Sequence, residues 1–205
     1  TNAYDPTGTY LVQIQNALGH TRQLAYDPRF GAVTSSTDQN TVTTTTEYDT
    51  LGRVVRVIGP NDTAALPTLE YEYDLSTVPT RTITHARVQS GSTLRVTHYA
   101  FHDGLGRTIH TRAPAEDPAK QVVGGAVEFN TRGLAVKQWV PYLSNTSTAY
   151  VPRTSEPGAG SLAVVSYAYD AVGRLLTTTD PDGSVSSVSY NDWVVTATDA
   201  KGNQT

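Results

Sequence analysis

Apolar and polar residues alternate along short stretches of this chain, and turn-forming residues separate the stretches. Residues 9–15 and 53–58 show the alternation, and the threonine-rich run 41–47 is equally suited to a strand. Apolar residues do not recur at the three- and four-residue spacing of an amphipathic helix. Asp, Asn, Gly and Pro cluster between the stretches, as they do in tight turns. The pattern therefore predicts short antiparallel strands joined as β-hairpins, with almost no helix.

An aromatic residue followed by Asp or Asn opens most of these turns, and the motif recurs along the whole chain. Its fullest form is Tyr-Asp-x-x-Gly-Arg, at residues 48–53 and 169–174. Recurrence of one turn motif at a period of about 22 residues is the mark of a repeat protein. The positions of this repeat signature are Tyr4, Asp5, Tyr26, Asp27, Tyr48, Asp49, Gly52, Arg53, Tyr73, Asp74, His102, Asp103, Gly106, Arg107, Phe129, Asn130, Gly133, Tyr169, Asp170, Gly173, Arg174 and Tyr190.

A second turn divides each repeat into two strands, so that one repeat is one hairpin. A lone hairpin is marginally stable, whereas hairpins stacked edge to edge support one another in a sheet whose twist makes it coil. We therefore predict an all-β fold of antiparallel hairpin repeats in a long, twisted, coiling sheet. Residues 1–205 are expected to form a single array, with loop insertions near residues 59–67, 112–125 and 141–160.

The iterated motif resembles the YD repeat of Rhs-type proteins, which include bacterial polymorphic toxins and animal teneurins. Residues 137–142 and 193–203 are most similar to the B component of bacterial insecticidal toxin complexes. The resemblance implies that the chain is a fragment of a hollow β shell that encloses a toxic C-terminal polypeptide. It also implies a bacterial protein that is secreted or displayed on the cell surface.

Composition excludes some classes of partner. The formal net charge is −4 and the pI about 5.7, and the arginines are dispersed with the repeat, which argues against a nucleic-acid-binding protein. No apolar run approaches the length of a membrane span. The chain has no Cys and no Met, so we expect no disulfide or thiolate metal site, and we expect a piece of a longer protein.

Candidate chemistry is sparse, and structural roles account for the residues better. His98, His102 and His110 suggest a metal site, but strand positions four residues apart lie too far apart to share one ion. Residues 180–183 resemble the start of a calcium loop without its later ligands. There is no nucleophile motif. We therefore predict no enzyme activity and no catalytic, metal-binding or cofactor-binding residues.

The Arg of the motif leaves two interpretations open. Arg53, Arg107 and Arg174 either link neighbouring repeats to the turn Asp or flank the strands in solvent. The first interpretation is the one we favour.

Three functions are compatible with this sequence. The leading hypothesis is a structural shell segment whose partners are neighbouring repeats and a toxin cargo polypeptide. The alternative is an extracellular module that binds a surface protein or a carbohydrate, as the teneurin resemblance implies. A polysaccharide-processing enzyme ranks last, because turns account for nearly every Asp. Unpaired edge strands also predict edge-to-edge self-association.

Overall fold

The computed structural model describes residues Thr1–Thr205, and its regular structure is almost entirely antiparallel β-sheet. In chain order the strands are β1 (Asn2–Tyr4), β2 (Leu11–Gln15), β3 (Thr21–Asp27), β4 (Ala32–Thr37), β5 (Thr43–Tyr48), β6 (Val54–Ile58), β7 (Leu69–Asp74), β8 (Thr80–Arg87), β9 (Arg95–His102), β10 (Thr108–Pro114), β11 (Lys120–Gly124), β12 (Val127–Phe129), β13 (Ala135–Trp139), β14 (Tyr142–Asn145), β15 (Val164–Tyr169), β16 (Leu175–Thr179), β17 (Val185–Asn191) and β18 (Val194–Thr198). The only helical residues form two 3₁₀ turns, Arg153–Ser155 and Ala159–Ser161.

The strands belong to two open sheets, and the prediction of an all-β, antiparallel hairpin fold is confirmed. A 12-stranded sheet runs in the order β1 to β11 and then β14, and a 6-stranded sheet has the order β12-β13-β15-β16-β17-β18. The division occurs where β14 pairs with β11, Val123 opposite Tyr142. This pairing occupies the edge that β12 would take in an uninterrupted meander, so β12 begins a second sheet.

Contacts within the chain define two compact parts. One comprises Thr1–Tyr73 with Thr82–Thr97, and the other comprises Asp74–Arg81 with His98–Thr205. The first part contains the most regular hairpins. The second contains the whole of the 6-stranded sheet and almost all of the fully buried residues of the chain.

Two of the three predicted insertions differ from a simple loop. Residues 112–125 contribute most of a hairpin, because Arg112 to Pro114 pair with residues of β11 and only a short turn lies between the strands. Residues 141–160 begin with β14 and continue as a segment that lies against the sheet, with Glu156 4% exposed. The insertion at 141–160 thus includes a short strand and two polar residues, Ser144 and Glu156, that are buried with polar partners. Residues 59–67 do form a loop between β6 and β7.

A β-bulge recurs at the same place in six repeats. On the strand opposite the aromatic residue of the signature, one extra residue interrupts the register. The six extra residues are Val12, Thr34, Val55, Ile109, Val136 and Leu176. A bulge leaves a backbone group out of the regular ladder and increases the local twist.

Fully buried apolar residues are few, and three of the four lie together. The buried cluster consists of Val123, Ala126 and Tyr142, with Trp139 and Leu162 packed against it. Most other strand residues are half-buried, as expected for a sheet without a second layer over its faces. No helix in the structure is long and apolar enough to cross a membrane.

Candidate functional site

The turn of each full repeat is closed by the side chain of its own Asp or Asn. Asp49 Oδ1 accepts hydrogen bonds from the N–H groups of Leu51 (2.8 Å) and Arg53 (2.9 Å), and Gly52 takes φ +78°. Asx side chains favour this geometry, and Gly adopts positive φ without steric cost. The same pair of N–H donors reaches Asp103, Asn130 and Asp170.

Hydrogen bonding keeps the turn carboxylates ionised. The hydrogen bond from the Arg107 side chain holds the pKa of Asp103 below its usual range, against the opposing effect of burial, and backbone N–H donors add to the lowering. The pKa of Asp5 is lowered as well, chiefly by the Thr7 hydroxyl, without any arginine. Such groups stabilise the folded chain above the ordinary pKa of Asp, and the stabilisation is lost as pH falls through the lowered value.

Each signature Arg contacts two repeats at once. Arg53 Nε donates to Asp49 Oδ2 at 2.7 Å, and the centre of its guanidinium lies 4.2 Å from the ring centroid of Tyr73, the next aromatic of the array. The other two arginines repeat this arrangement, with Arg107 over Phe129 at 3.7 Å and Arg174 over Tyr190 at 4.3 Å. The ion pair is thus within one turn, and the contact with the neighbouring repeat is a cation–π interaction.

Five of the signature tyrosines donate their hydroxyl to a carbonyl of the preceding repeat. Tyr48 donates to the carbonyl of Val33 at 2.8 Å, and Val33 directly precedes Thr34, the extra residue of that bulge. Four more tyrosines share this relation with Tyr48. The hydroxyls of Tyr26, Tyr73, Tyr169 and Tyr190 donate to the carbonyls of Leu11, Val54, Ala135 and Leu175, respectively. The hydroxyl therefore satisfies a carbonyl beside the bulge. We call the tyrosine hydrogen bond and the arginine stack together the inter-repeat link.

Several signature positions depart from this arrangement. Phe129 carries the arginine stack but has no hydroxyl to donate. His102 is within 3.3 Å of the Thr108 hydroxyl. Asp74 pairs with Arg81 and Asp27 with Arg29, rather than with an Arg four residues on. Tyr4 is 56% exposed.

A second site lies on one face of strands β9, β10, β11 and β14. We call this the covered face; its residues are Phe101, His110, Arg112, Gln121, Val123, Tyr142 and Ser144, all buried. Residues 146–163, here termed the cover segment, lie over it. Tyr150 of the cover segment stacks on His110 with ring centroids 4.9 Å apart, and Leu162 packs against the buried cluster.

An ion pair lies at the centre of the covered face. Arg112 Nη2 donates to Glu156 Oε1, and both side chains are 0% exposed. Ser144 donates to the other oxygen of Glu156, and Arg112 Nη1 also donates to the carbonyl of Asn145 at 3.1 Å. A buried charge is tolerated when it is paired and hydrogen-bonded. The cover segment is therefore held by specific polar contacts.

The environment of His110 strongly favours its neutral form. Burial lowers its pKa from 6.5 to about 4, and the positive charges of Arg112 and Arg153 act in the same direction. Its ring is also packed edge-on against Phe101.

The residues considered for metal binding lie apart. His98 is exposed, His102 half-buried and His110 buried, and no three His, Cys, Asp or Glu residues are grouped as metal ligands are. Asp182 Oδ1 accepts hydrogen bonds from the N–H and the hydroxyl of Ser184, as an ordinary turn residue does.

Sequence reasoning missed the buried pair of Arg112 and Glu156. Both lie in stretches that were interpreted as insertions, because neither belongs to a repeat signature. A lone Glu in a segment rich in Pro and Gly is most often solvated, and nothing in its spacing indicates a partner 44 residues away.

Comparison with known proteins finds a family match for the last part of the chain. Residues 164–204 match the family model described as RHS Repeat. This part of the chain is therefore similar to an RHS repeat. No curated protein matches the chain. The resemblance to Rhs-type proteins is confirmed.

Solved structures with this fold cover almost the whole chain. The crystal structure of TcdB2-TccC3 is 19% identical with a TM-score of 0.77, covering 98% of this chain and 12% of that one. TcdB2-TccC3 without its hypervariable C-terminal region is 17% identical with a TM-score of 0.80, covering 98% and 14%. The Photorhabdus luminescens Tc holotoxin pore, with the mutation TccC3-D651A, is 17% identical with a TM-score of 0.80, and the match covers 98% of this chain and 14% of that one. The chain thus shares their Rhs fold and spans about an eighth of the length of the TcdB2-TccC3 chain.

Proposed function

We propose that this chain is a non-enzymatic segment of an Rhs β shell that encloses a polypeptide cargo and helps to deliver it. The observation that carries the proposal is the inter-repeat link. It connects neighbouring hairpins through a tyrosine hydroxyl, through an arginine stack or, at Tyr73 and Tyr190, through both, so neighbouring repeats support one another. Such an array forms an extended wall rather than a compact enzyme core.

The burial pattern supports a wall one layer thick. Only Phe101, Val123, Ala126 and Tyr142 are fully buried apolar residues, although a chain of 205 residues is long enough to bury a large core. Threonine, serine and tyrosine occupy many strand positions and keep both faces compatible with water. A wall of this composition can separate two aqueous spaces.

The mechanism that follows is steric. Hydrogen-bonded sheets exclude proteases and other macromolecules from a polypeptide that they enclose, and no bond is made or broken. One of the similar structures is a Tc holotoxin pore, and another is TcdB2-TccC3 without its hypervariable C-terminal region. By analogy, the cargo of the protein to which this chain belongs would be such a C-terminal region.

Protease protection of the full-length protein tests the proposal. The C-terminal region should survive a protease concentration that digests the same region fused to an unrelated carrier through the same linker. Urea sufficient to open the sheets should remove the protection. Digestion at equal rates in the two fusions would contradict the proposal. If the two digestion rates are equal and this chain binds to intact cells or to a glycan array, the result would support the adhesion alternative.

A further inference from the structure

Orphaned polar atoms are concentrated where the cover segment meets the covered face. Five buried side-chain atoms there have no hydrogen-bond partner: Arg112 Nε, His110 Nε2, Tyr142 OH, and Arg153 Nε and Nη1. Arg112 is 0%, His110 2% and Tyr142 8% exposed. Buried polar atoms in native proteins nearly always have partners. Four of the five carry a hydrogen to donate, so the missing partner is an acceptor.

The charges at this place do not cancel within the chain. Glu156 neutralises Arg112, but Arg153 has no carboxylate within ion-pair distance. Its guanidinium lies between Trp139 and Tyr142, 4.7 and 5.0 Å from the ring centroids. Its Nη2 donates to the carbonyl of Ala159 at 3.4 Å, and the approach of its side chain to the Tyr142 hydroxyl opposes the larger effect of burial on the pKa of that hydroxyl. One positive charge therefore remains uncompensated.

We propose that Arg153 and the Tyr142 hydroxyl bind a small monovalent inorganic anion, of which chloride is the common physiological example. A water molecule could accept from these donors but would leave the positive charge of the half-buried Arg153 uncompensated. An anion supplies both the acceptor and the charge. The positive field that disfavours protonation of His110 comes from Arg112 and Arg153 and attracts the same anion.

A surface pocket lies on the Arg153 side of the proposed site. Arg153 and Trp139 line this pocket, which has a volume of about 450 Å³. Lys137 and Glu128, which also line it, face each other at 3.7 Å, so the Glu128 carboxylate has its own partner.

The proposed anion would join the cover segment to the sheet, since Arg153 belongs to the cover segment and Tyr142 to β14. Docking of the cover segment should therefore depend on chloride.

Two measurements on the 205-residue chain test the site. In crystals grown with sodium bromide, an anomalous peak is expected beside Arg153 Nη1 and Tyr142 OH. In thermal unfolding, chloride replaces gluconate at constant ionic strength. The wild type should show a saturable rise in Tm of about 2–4 °C once the site fills. Arg153→Met and Tyr142→Phe should show a smaller rise or none. Arg132→Met is the matched control, because Arg132 is exposed, binds only backbone carbonyls and has no carboxylate partner.

The outcomes separate the alternatives. A bromide peak together with a chloride response that is lost in Arg153→Met supports the proposal. Water-level density and equal Tm values in the two salts overturn it, as does a chloride response equal in wild type and Arg153→Met. If Arg153→Met does not fold, the bromide peak in the wild type decides alone.

Discussion

A single hydroxyl group explains why tyrosine opens most of these repeats. Tyr48 donates its hydroxyl to the Val33 carbonyl beside a β-bulge. Phenylalanine would provide the same apolar ring and leave the carbonyl without this donor. The preference of the sequence for Tyr over Phe is thus explained by a backbone group that the bulge displaces from the ladder.

Replacing Phe129 by Tyr should stabilise the chain. Arg107 already stacks on this ring as Arg53 does on Tyr73, and Thr108 directly precedes the extra residue Ile109 as Val33 precedes Thr34. A new hydrogen bond should raise the free energy of unfolding by about 1 kcal/mol, and Tyr48→Phe should lower it by a similar amount. Urea denaturation measures both. The exposed Tyr4 is the control, and an equal loss in Tyr4→Phe would contradict the explanation.

Two glycines of the same motif should respond differently to alanine. Gly52 and Gly106 have φ of +78° and +77°, so alanine is strained in both, by about 1–2 kcal/mol. At Gly52 the new Cβ would also lie 2.9 Å from Cδ1 of Phe30, whereas at Gly106 it meets open space. We expect Gly52→Ala to cost clearly more in urea denaturation. Equal losses would mean that the Phe30 ring moves away freely.

His110 should make the chain sensitive to moderate acid. Its pKa is about 4 in the folded chain, against the ordinary histidine value of 6.5 that applies once the chain unfolds. The neutral ring is favoured by folding, so its contribution is complete above pH 6.5 and is lost as pH falls from 6.5 through 4. The full loss is about 3 kcal/mol, from 1.36 kcal/mol for each pH unit between the two values. His110→Phe retains a ring against Tyr150 and should lose less stability over this range. Parallel pH profiles would exclude His110 as the titrating group.

At the scale of elements, the cover segment differs from every hairpin. It has no repeat period, yet it lies over the covered face and contributes Glu156 to a fully buried ion pair. The sequence hides this because the burial pattern of β14 is inverted. Ser144 is buried, while Leu143 beside it is 60% exposed. Reasoning from apolar alternation therefore assigns these residues to a surface loop.

Breaking the buried pair from one side should release the cover segment. Glu156→Gln leaves Arg112 buried without its counter-charge, and we expect a loss of about 3–5 kcal/mol. The double variant Arg112→Met with Glu156→Leu should lose less, because no charge remains unpaired. Urea denaturation and amide exchange over residues 146–163 measure the effect. Glu128→Gln is the control, since Glu128 is half exposed and its pair with Lys137 spans 3.7 Å. A double variant as unstable as Glu156→Gln would contradict this account.

At the scale of the molecule, the repeat fixed most of what could be predicted. Alternation and the Tyr-Asp turns specify antiparallel hairpins, because both signals are local. The division into two sheets is not local, since it depends on β14 returning to pair with β11. Of the two partners of Arg53, only the one within its own turn could be predicted from the sequence. The turn Asp is four residues away, whereas the Tyr73 ring belongs to the next repeat.

The edge of the 6-stranded sheet leads us to expect self-association. Ala197 of β18 exchanges both backbone hydrogen bonds with Thr205, so its polar groups point away from β17, and those of Val195 do the same by alternation. Val195 is 58% exposed. Light scattering should show concentration-dependent association. Val195→Pro should reduce this association without removing a backbone hydrogen bond between β18 and β17.

Ala171→Pro is the control for this edge, since it follows a turn Asp as Pro6 and Pro28 do. A monodisperse monomer at high concentration would contradict the expectation.

The inter-repeat link also has a consequence for how such chains diversify. Tyr190 reaches back to Leu175, and Arg174 reaches forward to Tyr190, so each contact ends within one neighbouring hairpin. A gene that gains or loses one complete hairpin therefore restores every contact at the junction. A gain or loss of half a hairpin leaves a guanidinium without a ring and a carbonyl without a hydroxyl. Recombination in whole hairpins thus changes the length of the array without loss of contacts between neighbouring hairpins.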